Sequence, residues 1–427
     1  MTSAAGAYRS PFRKAWRRLD PRLALRLSLG VLTAIGGFLD VGAIATAGEA
    51  GARFRLGLVW AFVLGTVAIV VLLMMVGRFT AATGKPYAAA VREHLGFKFY
   101  LIPLTAEVVT NSVMLAAELG GVAIAMSMLT GASSALLFPL GAAAVLAMTW
   151  WAPFSWIEDG PAILGLVTLC FVVAVVVQGG PPPDTWSTLV RPDLQPGDLV
   201  HYLFLAAAIL GAIISPYLIY FYSSGALEQG WTRRSLHLNQ VTAVTGMSFG
   251  CLVAVGVVMT AAIALAPRHL EVTSLPQVSL TLVKPWARLG GYLFATSLLV
   301  TCFGAALEIA LTLPFEIAQG FGWSSGKDKP KRRAMRFNLT ILAVVVVAVA
   351  IGSTGVDPLQ LALYASALTA LILPCSIVPF LIVMNDRDYL GDQVNGRVAN
   401  ILTVGVVALA SLVALVTLPL TLLSGGG

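Results

Sequence analysis

The stretch IGGFLDVGAIATAGEAGA, residues 35–52, places a single carboxylate, Asp40, inside an apolar segment. Three glycines, Gly36, Gly37 and Gly42, surround it. A charged side chain at the centre of a bilayer costs at least about 2.5–3.5 kcal/mol on insertion scales, so an acid at that depth is a functional candidate. Glycines let the backbone leave the helical conformation. The stretch therefore predicts a membrane-spanning helix that is interrupted at a functional carboxylate.

The composition of the whole chain is that of a membrane protein. Hydrophobic residues make up 58% of the 427 residues, charged residues make up only 11%, and the mean hydropathy is +0.87. A soluble domain carries roughly 25% charged residues. Apolar stretches of about 20 residues, long enough to cross a bilayer, recur along the sequence. We predict eleven spans, at about residues 25–51, 57–80, 99–129, 134–152, 162–178, 199–225, 239–266, 288–320, 336–353, 357–384 and 398–423.

The net charge of +7 follows membrane topology and does not indicate nucleic acid binding. With a cytoplasmic N-terminus, 20 of the 27 Lys and Arg residues fall in the cytoplasmic tail and loops, and six fall on the other side. Cytoplasmic loops are enriched in these residues. We therefore expect a protein of the cell membrane with its N-terminus in the cytoplasm and its C-terminus outside. The basic segments are expected to contact lipid headgroups.

A second interrupted span indicates an internal repeat. It reads ILGAIISPYLIY, residues 209–220, and lies five spans after the first interruption. Pro216 lacks a backbone N–H, and unwound backbone in a membrane is tolerated where it lines a cavity. Paired interruptions are typical of inverted-repeat transporters, which bind their substrate at the breaks. A proline kink and a glycine packing contact are the alternative explanation.

The two breaks predict an all-α multi-pass membrane protein with two repeats. The predicted parts are a basic tail over 1–24, a first repeat over 25–178, an external loop over 179–198, a second repeat over 199–384 and an eleventh span over 398–423. The loop is rich in proline and glycine, as semi-rigid connections are. The oligomeric state is left open.

Other intramembrane acids accompany Asp40. Glu107, Asn111 and Glu118 lie close to one face of the third span, and Glu308 lies in the eighth. Acids within a membrane are functional candidates by default. The alternative for Glu118 is a protonated side chain that is hydrogen-bonded between helices.

The second break supplies neutral oxygen atoms. Ser215 and Tyr217 carry hydroxyl groups, and an unwound turn leaves backbone carbonyls without helical partners. Hard cations favour such oxygen ligands. Together with Asp40 and water, these groups predict an all-oxygen cation site of low negative charge.

The cysteines and histidines do not indicate catalytic chemistry. The four cysteines lie in predicted spans without C-x-x-C spacing, and the four histidines are dispersed over loops and span ends. The sequence contains no nucleotide-binding or nucleophile motif. We therefore predict that the protein is not an enzyme and uses no cofactor.

Five stretches carry a resemblance to the NRAMP-type divalent-metal transporters over nearly the full chain. They are FLDVGAIATAGEAGA, VGRFTAATGKPYAAAVREHLG, AAELGGVAIAMSMLTG, ILGAIISPYLIYFYSSGAL and DPLQLALYASALTALILPCSIVPFLIVMNDRDYLG. The resemblance implies a LeuT-like five-plus-five inverted repeat with broken first and sixth spans and eleven transmembrane helices. It also implies a divalent cation as substrate.

The motifs depart from the family pattern at the metal ligands. The family binds metal through the Asp and Asn of D-P-G-N, the methionine of M-P-H and a carbonyl three residues before that methionine. Here Asp40 is kept, but Val41 and Ala43 stand at the Pro and Asn positions. Ser215 stands at the methionine position and Ala212 at the carbonyl position. In lacking the methionine, the chain resembles the divergent, magnesium-transporting branch of the family. The change agrees with the chemistry, because thioether sulfur favours softer ions and Mg²⁺ keeps several waters.

The proton-coupling residues of the family are mostly absent. Tyr217 and Tyr222 stand at the two sixth-span histidine positions, and Leu115 stands at the third-span aspartate position. Tyrosine, with an ordinary pKa of about 10, is a poor proton carrier near neutral pH. Transport is therefore expected to be weakly coupled or uncoupled to protons. The weak proton path that remains consists of Glu118, Asn111 and Glu308.

We therefore predict a transporter of hydrated Mg²⁺, with Mn²⁺ as a second substrate, that works by alternating access. The predicted metal ligands are Asp40, the Ala212 carbonyl and Ser215. The predicted pocket and its surroundings are Gly42, Ala43, Glu118 and Tyr217. One alternative is a LeuT-fold transporter of a small organic solute such as an amino acid. Another is a non-transporting membrane scaffold or sensor, which the short termini and loops disfavour.

Overall fold

The computed structural model describes residues 38–153, 157, 163–181, 183–192, 194, 197–324, 326 and 334–423. The predicted N-terminal tail and the beginning of the first span lie outside these residues. The α-helices are α1 Val41–Phe54, α2 Val59–Thr83, α3 Tyr87–Leu95, α4 Phe97–Thr130, α5 Ser134–Trp151, α6 Leu169–Val177, α7 Asp198–Ile213, α8 Pro216–Glu228, α9 Leu236–Ala264, α10 Leu275–Val278, α11 Leu280–Trp286, α12 Arg288–Phe321, α13 Met335–Gly352, α14 Pro358–Met384, α15 Arg387–Leu390 and α16 Arg397–Leu423.

The helices match the spans predicted from hydropathy. Nine helical stretches of the described chain are long and apolar enough to cross a bilayer, with α7 and α8 forming one of them. The fifth predicted span is a shorter apolar helix, Gly165–Val177. The first is described from residue 38 and contains α1. Each predicted span therefore has a helical counterpart.

The break in the sixth span follows from Pro216. Helix α7 ends at Ile213 and α8 begins at Pro216, and the two residues between them have non-helical backbone. In a continuous helix the Ala212 carbonyl would accept from the N–H of residue 216, but proline has none. Proline is favoured at the first position of a helix. The same residue therefore ends one helix and begins the next.

The break in the first span is set by Asp40. This residue has extended backbone, with φ −93° and ψ 177°, and its side chain caps the N-terminus of α1. Aspartate is among the preferred N-cap residues because its carboxylate accepts from the exposed N–H groups. The predicted interruption at Asp40 is confirmed from the α1 side.

The broken spans lie at the centre of the bundle. The most apolar part of α7 and α8 is 94% buried, whereas the corresponding parts of α5 and α13 are 28% buried. Helix α7 packs against α14, and Gly211 allows the close approach: a Cβ there would lie 1.9 Å from the Ser366 backbone oxygen. Helix α3 lies at one end of the bundle, which we call the α3 end. The opposite end holds Phe54 and Asp198.

Candidate functional site

Asp40 presents one carboxylate oxygen that is free to bind a ligand. The side chain is fully buried. Its Oδ1 accepts a hydrogen bond from the Ala43 N–H at 2.7 Å. Its Oδ2 is buried and has no hydrogen-bond partner among the described residues. Leaving such an atom unsatisfied costs about 1–3 kcal/mol, and more when it is charged. The Oδ2 atom is therefore suited to a positively charged ligand.

Glu118 lies beside Asp40 at the start of α1. It is fully buried on α4, and its Oε1 accepts from the Val41 N–H at 3.0 Å. Its electrostatic neighbours include Asp40 and Glu308. Two carboxyl groups thus occupy the N-terminus of α1, where the helix dipole favours negative charge.

The sixth break presents linked oxygen atoms. Ser215 is buried at the N-cap of α8. Its Oγ lies 2.8 Å from the Ala212 carbonyl oxygen and 3.1 Å from that of Gly211, to which it can donate. A carbonyl has two lone pairs and a hydroxyl also accepts. The two predicted ligands at this break are therefore bonded to each other, and each keeps acceptor capacity for a cation.

The two breaks meet at Gly42. A Cβ placed there would lie 3.2 Å from Asp40 Oδ1 and 3.6 Å from the Ala212 Cβ. It would also lie 2.5 Å from the Ser366 Oγ on α14. Helices α1, α7 and α14 thus converge within the width of one side chain. The structure brings the predicted residues of the first and sixth spans together.

Tyr217 and Glu308 complete the same group. Tyr217, the second residue of α8, is buried and interacts electrostatically with Asp40, Glu118 and Glu308. Glu308 is 5% exposed. Asp40, Glu118, Glu308 and Tyr217 are called the central layer below. Ala43 is buried next to it and contributes its backbone N–H.

Asn111 lies elsewhere. Its Nδ2 donates to Glu107 Oε2 at 3.1 Å, and it lies seven residues, about 10 Å, from Glu118 along α4. The structure therefore separates Asn111 from the central layer, although the sequence places both residues near one helix face.

Two residues near the site were missed by sequence reasoning. Ser366 faces both Gly42 and Gly211, and its hydroxyl donates to the Ala362 carbonyl of its own helix. Cys302 lies beside Glu118, and its Sγ would meet a Cβ at Gly121. A serine or a cysteine in an apolar helix gives no signal of its own, because such residues are common in helix packing.

The ion pairs between charged side chains lie away from the central layer. The ion pairs of the described chain lie towards the ends of the bundle, and none of them includes Asp40 or Glu118. No three His, Cys, Asp or Glu side chains of the described residues are arranged to hold a metal among them. Asp40 Oδ2 and Glu118 Oε2 are the carboxyl oxygens at the start of α1 that are buried without a hydrogen-bond partner among the described residues.

A cavity opens at the end of the bundle opposite α3. Its volume is about 330 Å³, and its lining includes Glu49, Arg53, Asp198 and His201. Glu49 and His201 are paired at 2.7 Å, and Arg53 and Asp198 at 3.1 Å. Glu49 lies nine residues, about 13 Å, from Asp40 along α1. No residue of the central layer lines the cavity.

Comparison with known proteins identifies relatives along the whole chain. The model of the natural resistance-associated macrophage protein-like family, Nramp, matches residues 30–419. A divalent metal cation transporter, MntH 1 of Pseudomonas aeruginosa, is 27% identical over 413 residues, which cover 92% of this chain and 89% of that protein.

Two solved structures share the fold. The Eremococcus coleocola manganese transporter has a TM-score of 0.74 at 18% identity, covering 96% of this chain and 88% of its own. Mhp1, a nucleobase-cation-symport-1 family transporter, has a TM-score of 0.63 at 13% identity, covering 92% and 91%. The LeuT-like inverted-repeat fold predicted from the sequence is thereby confirmed.

Proposed function

Because this chain belongs to the Nramp family, we propose that it is a multi-pass membrane transporter of divalent metal cations and that Asp40 binds the cation between the two helix breaks. The relatives named as divalent metal cation transporters support this substrate class. The observation that carries the site is the Asp40 Oδ2 atom, which is buried without a hydrogen-bond partner in the part of the chain that the structure describes.

The proposed ligands form a hard and weakly charged set. Asp40 supplies one charge, and the Ala212 carbonyl and the Ser215 hydroxyl supply neutral oxygens. Ala43 contributes no donor atom from its side chain, and the site has no thioether. Softer transition ions lose their preferred ligand in such a site, whereas Mg²⁺ binds through few protein oxygens and several waters. We therefore place Mg²⁺ ahead of Mn²⁺ as the substrate.

Proton coupling is proposed to be weak or absent. Tyr217 stands next to the carboxylates of the central layer, and tyrosine does not exchange protons readily near neutral pH. The membrane potential alone drives a cation inwards by about 2.3 kcal/mol per charge per 100 mV. The proposed transporter lies in the cell membrane with a cytoplasmic N-terminus and works by alternating access.

The test is uptake of Mg²⁺ and Mn²⁺ into proteoliposomes that contain the purified chain. Asp40→Ala is expected to reduce uptake of both ions to the level of empty vesicles. Asp392→Ala, which removes an exposed carboxylate in the 3₁₀ turn Gly391–Gln393, is the matched control and should leave uptake unchanged. Uptake by Asp40→Ala equal to that of the parent would overturn the site.

Competition and a pH-sensitive dye in the same vesicles test the substrate and the coupling. Excess Mg²⁺ should suppress Mn²⁺ uptake, and uptake should leave the internal pH unchanged. Acidification that keeps pace with metal uptake would contradict the proposed uncoupled transport. An uptake of amino acids that the metals do not affect would instead support the organic-solute alternative.

A further inference from the structure

A second layer of buried carboxyl groups lies between the central layer and the α3 end. Glu107 on α4 and Glu316 on α12 are both fully buried. Three buried tyrosines, Tyr87, Tyr100 and Tyr220, interact electrostatically with both acids. The rings of Tyr87 and Tyr220 lie 4.9 Å apart.

The same three helices build both layers. Helices α4, α8 and α12 contribute Glu118, Tyr217 and Glu308 to the central layer and Glu107, Tyr220 and Glu316 to the second layer. The separation is eleven residues on α4 and eight on α12, or about 16 and 12 Å along the helix axes. The second layer is therefore a distinct place along the bundle.

The two acids of the second layer differ in their hydrogen bonding. Glu107 is satisfied: Ser376 Oγ donates to its Oε1 at 2.5 Å and Asn111 Nδ2 to its Oε2 at 3.1 Å. Neither oxygen of Glu316 has a hydrogen-bond partner within the described ranges. The Tyr220 hydroxyl lies close enough to interact with the Glu316 carboxyl and with the Tyr87 hydroxyl, although no well-formed hydrogen bond to it is present within the described ranges. The Glu316 carboxyl and the Tyr220 hydroxyl are therefore neighbours whose hydrogen-bonding capacity is not fully used.

Two neighbouring tyrosine hydroxyls donate to backbone oxygens and not to the Glu316 carboxyl. Tyr100 donates to the Glu316 backbone oxygen and Tyr87 donates to the Ser376 backbone oxygen, each at 2.8 Å. The protons of both tyrosines are thus engaged elsewhere. An ionised carboxylate without a positive partner in such an interior costs several kcal/mol. The oxygens of this layer are suited to a cation.

A polar stripe on α8 connects the two layers. Tyr217 and Tyr220 lie one turn apart on nearly the same face. Ser224 follows one turn later, and its hydroxyl accepts from Gln319 Nε2 at 2.9 Å. The interface between α8 and α12 thus carries polar groups from the break to the α3 end.

We propose that Glu316, with Glu107 and the Tyr220 hydroxyl, forms a second binding site for the divalent cation on its way between the central layer and the α3 end. Passage of the cation through this site rests on the proposed transport function. Binding of a cation at Glu316 does not require Asp40. The two sites can therefore be tested separately.

The experiment counts Mn²⁺ bound to the full-length protein in detergent, by the loss of the sharp paramagnetic resonance spectrum of free Mn²⁺. The parent is expected to bind two ions per chain, Asp40→Ala one, Glu316→Gln one and the double variant none. Asp392→Asn should bind two. Tyr220→Phe keeps the ring and should weaken the second site about fivefold, as loss of one hydrogen-bonding group does.

The outcomes separate the two proposals. A Glu316→Gln protein that still binds two ions, or a parent that binds only one, overturns the second site. An Asp40→Ala protein that binds two ions overturns the central site and leaves the second intact. Size-exclusion elution and thermal unfolding report whether Glu316→Gln is folded. If Glu316→Gln is not folded, the Mn²⁺ affinities of Tyr220→Phe are compared with those of the parent. If both bound ions keep the affinity they have in the parent, the proposal is overturned.

Discussion

The first and sixth spans are both interrupted, but their broken ends expose different groups. At the first break the N-terminus of α1 presents N–H groups, and the carboxylates of Asp40 and Glu118 accept from them. At the sixth break the C-terminus of α7 presents carbonyl groups, and the Ser215 hydroxyl donates to them. The full charges are at one break, and the neutral oxygens are at the other.

This difference shows how a site of low charge can still attract a cation. The carbonyl end of α7 carries the negative end of a helix dipole, equivalent to about half a charge. Of the four carboxylate oxygens of Asp40 and Glu118, two accept from backbone N–H groups, and Asp40 Oδ2 and Glu118 Oε2 have no hydrogen-bond partner among the described residues. A cation bound there keeps much of its hydration, as Mg²⁺ prefers.

The largest expected effect concerns the sixth break. Gly211→Ala would place a Cβ 1.9 Å from the Ser366 backbone oxygen and 2.8 Å from the Ala370 nitrogen. Because backbone atoms cannot rotate away, α7 must separate from α14, at a cost of about 3 kcal/mol or more. We expect a large fall in the yield and unfolding temperature of the purified protein.

The control for this change is Gly405→Ala on α16, where a Cβ would meet no atom within 4 Å. It should preserve or slightly raise the unfolding temperature, since alanine favours helix. Equal behaviour of the two variants would contradict the close approach of α7 and α14.

The same experiment at the first break should give a milder result. Gly42→Ala would place a Cβ 2.5 Å from the Ser366 Oγ and 3.2 Å from Asp40 Oδ1. The serine hydroxyl can rotate, whereas the carboxylate must shift. We expect a stable protein with cation uptake reduced about tenfold, which corresponds to about 1.4 kcal/mol.

Ser366→Ala provides the matched test of this explanation, because it removes the Oγ atom. The double variant, Gly42→Ala with Ser366→Ala, should recover part of the uptake that Gly42→Ala loses. If it transports no better than Gly42→Ala, then the contact with Asp40 alone accounts for the loss.

Sequence patterns predicted which residues meet at the breaks, but not how they bond. Asp40 and Pro216 are local signals, because a carboxylate caps a helix and a proline begins one. The 3.6-residue period places Glu107 and Glu118 near one face of α4. It does not show that each of them is joined by different residues of α8 and α12, which makes two separate layers. The contacts of Ser366 depend on helix packing, which neither hydropathy nor local propensity encodes.

The Val41–Glu118 hydrogen bond was likewise not predicted, because any non-proline residue at position 41 has the donor. Val41→Pro removes this N–H while keeping the helix start. The extended backbone of Asp40 is the conformation favoured before a proline, and proline fits the first position of a helix. We expect a loss of about 1–3 kcal/mol, because Glu118 Oε1 is left unsatisfied.

A double-mutant cycle with Glu118→Ala isolates this bond. In the Glu118→Ala background no acceptor remains, so Val41→Pro should change the unfolding free energy by much less than it does in the parent. Equal losses in both backgrounds would show that the variant acts through the backbone and not through Glu118.

The smallest expected effect is a change in selectivity between ions. Ala43→Asn at the first break and Ser215→Met at the sixth add an amide oxygen and a thioether to the site. Since the thioether favours softer ions, the double variant should raise the ratio of Mn²⁺ to Mg²⁺ uptake about threefold, or about 0.7 kcal/mol. The control, Ala43→Leu with Ser215→Leu, adds similar volume without donor atoms, and it should lower both uptakes without changing their ratio. A ratio that moves equally in both proteins would mean that pocket size selects the ion, and a ratio that moves in neither would mean that these two positions do not line its path.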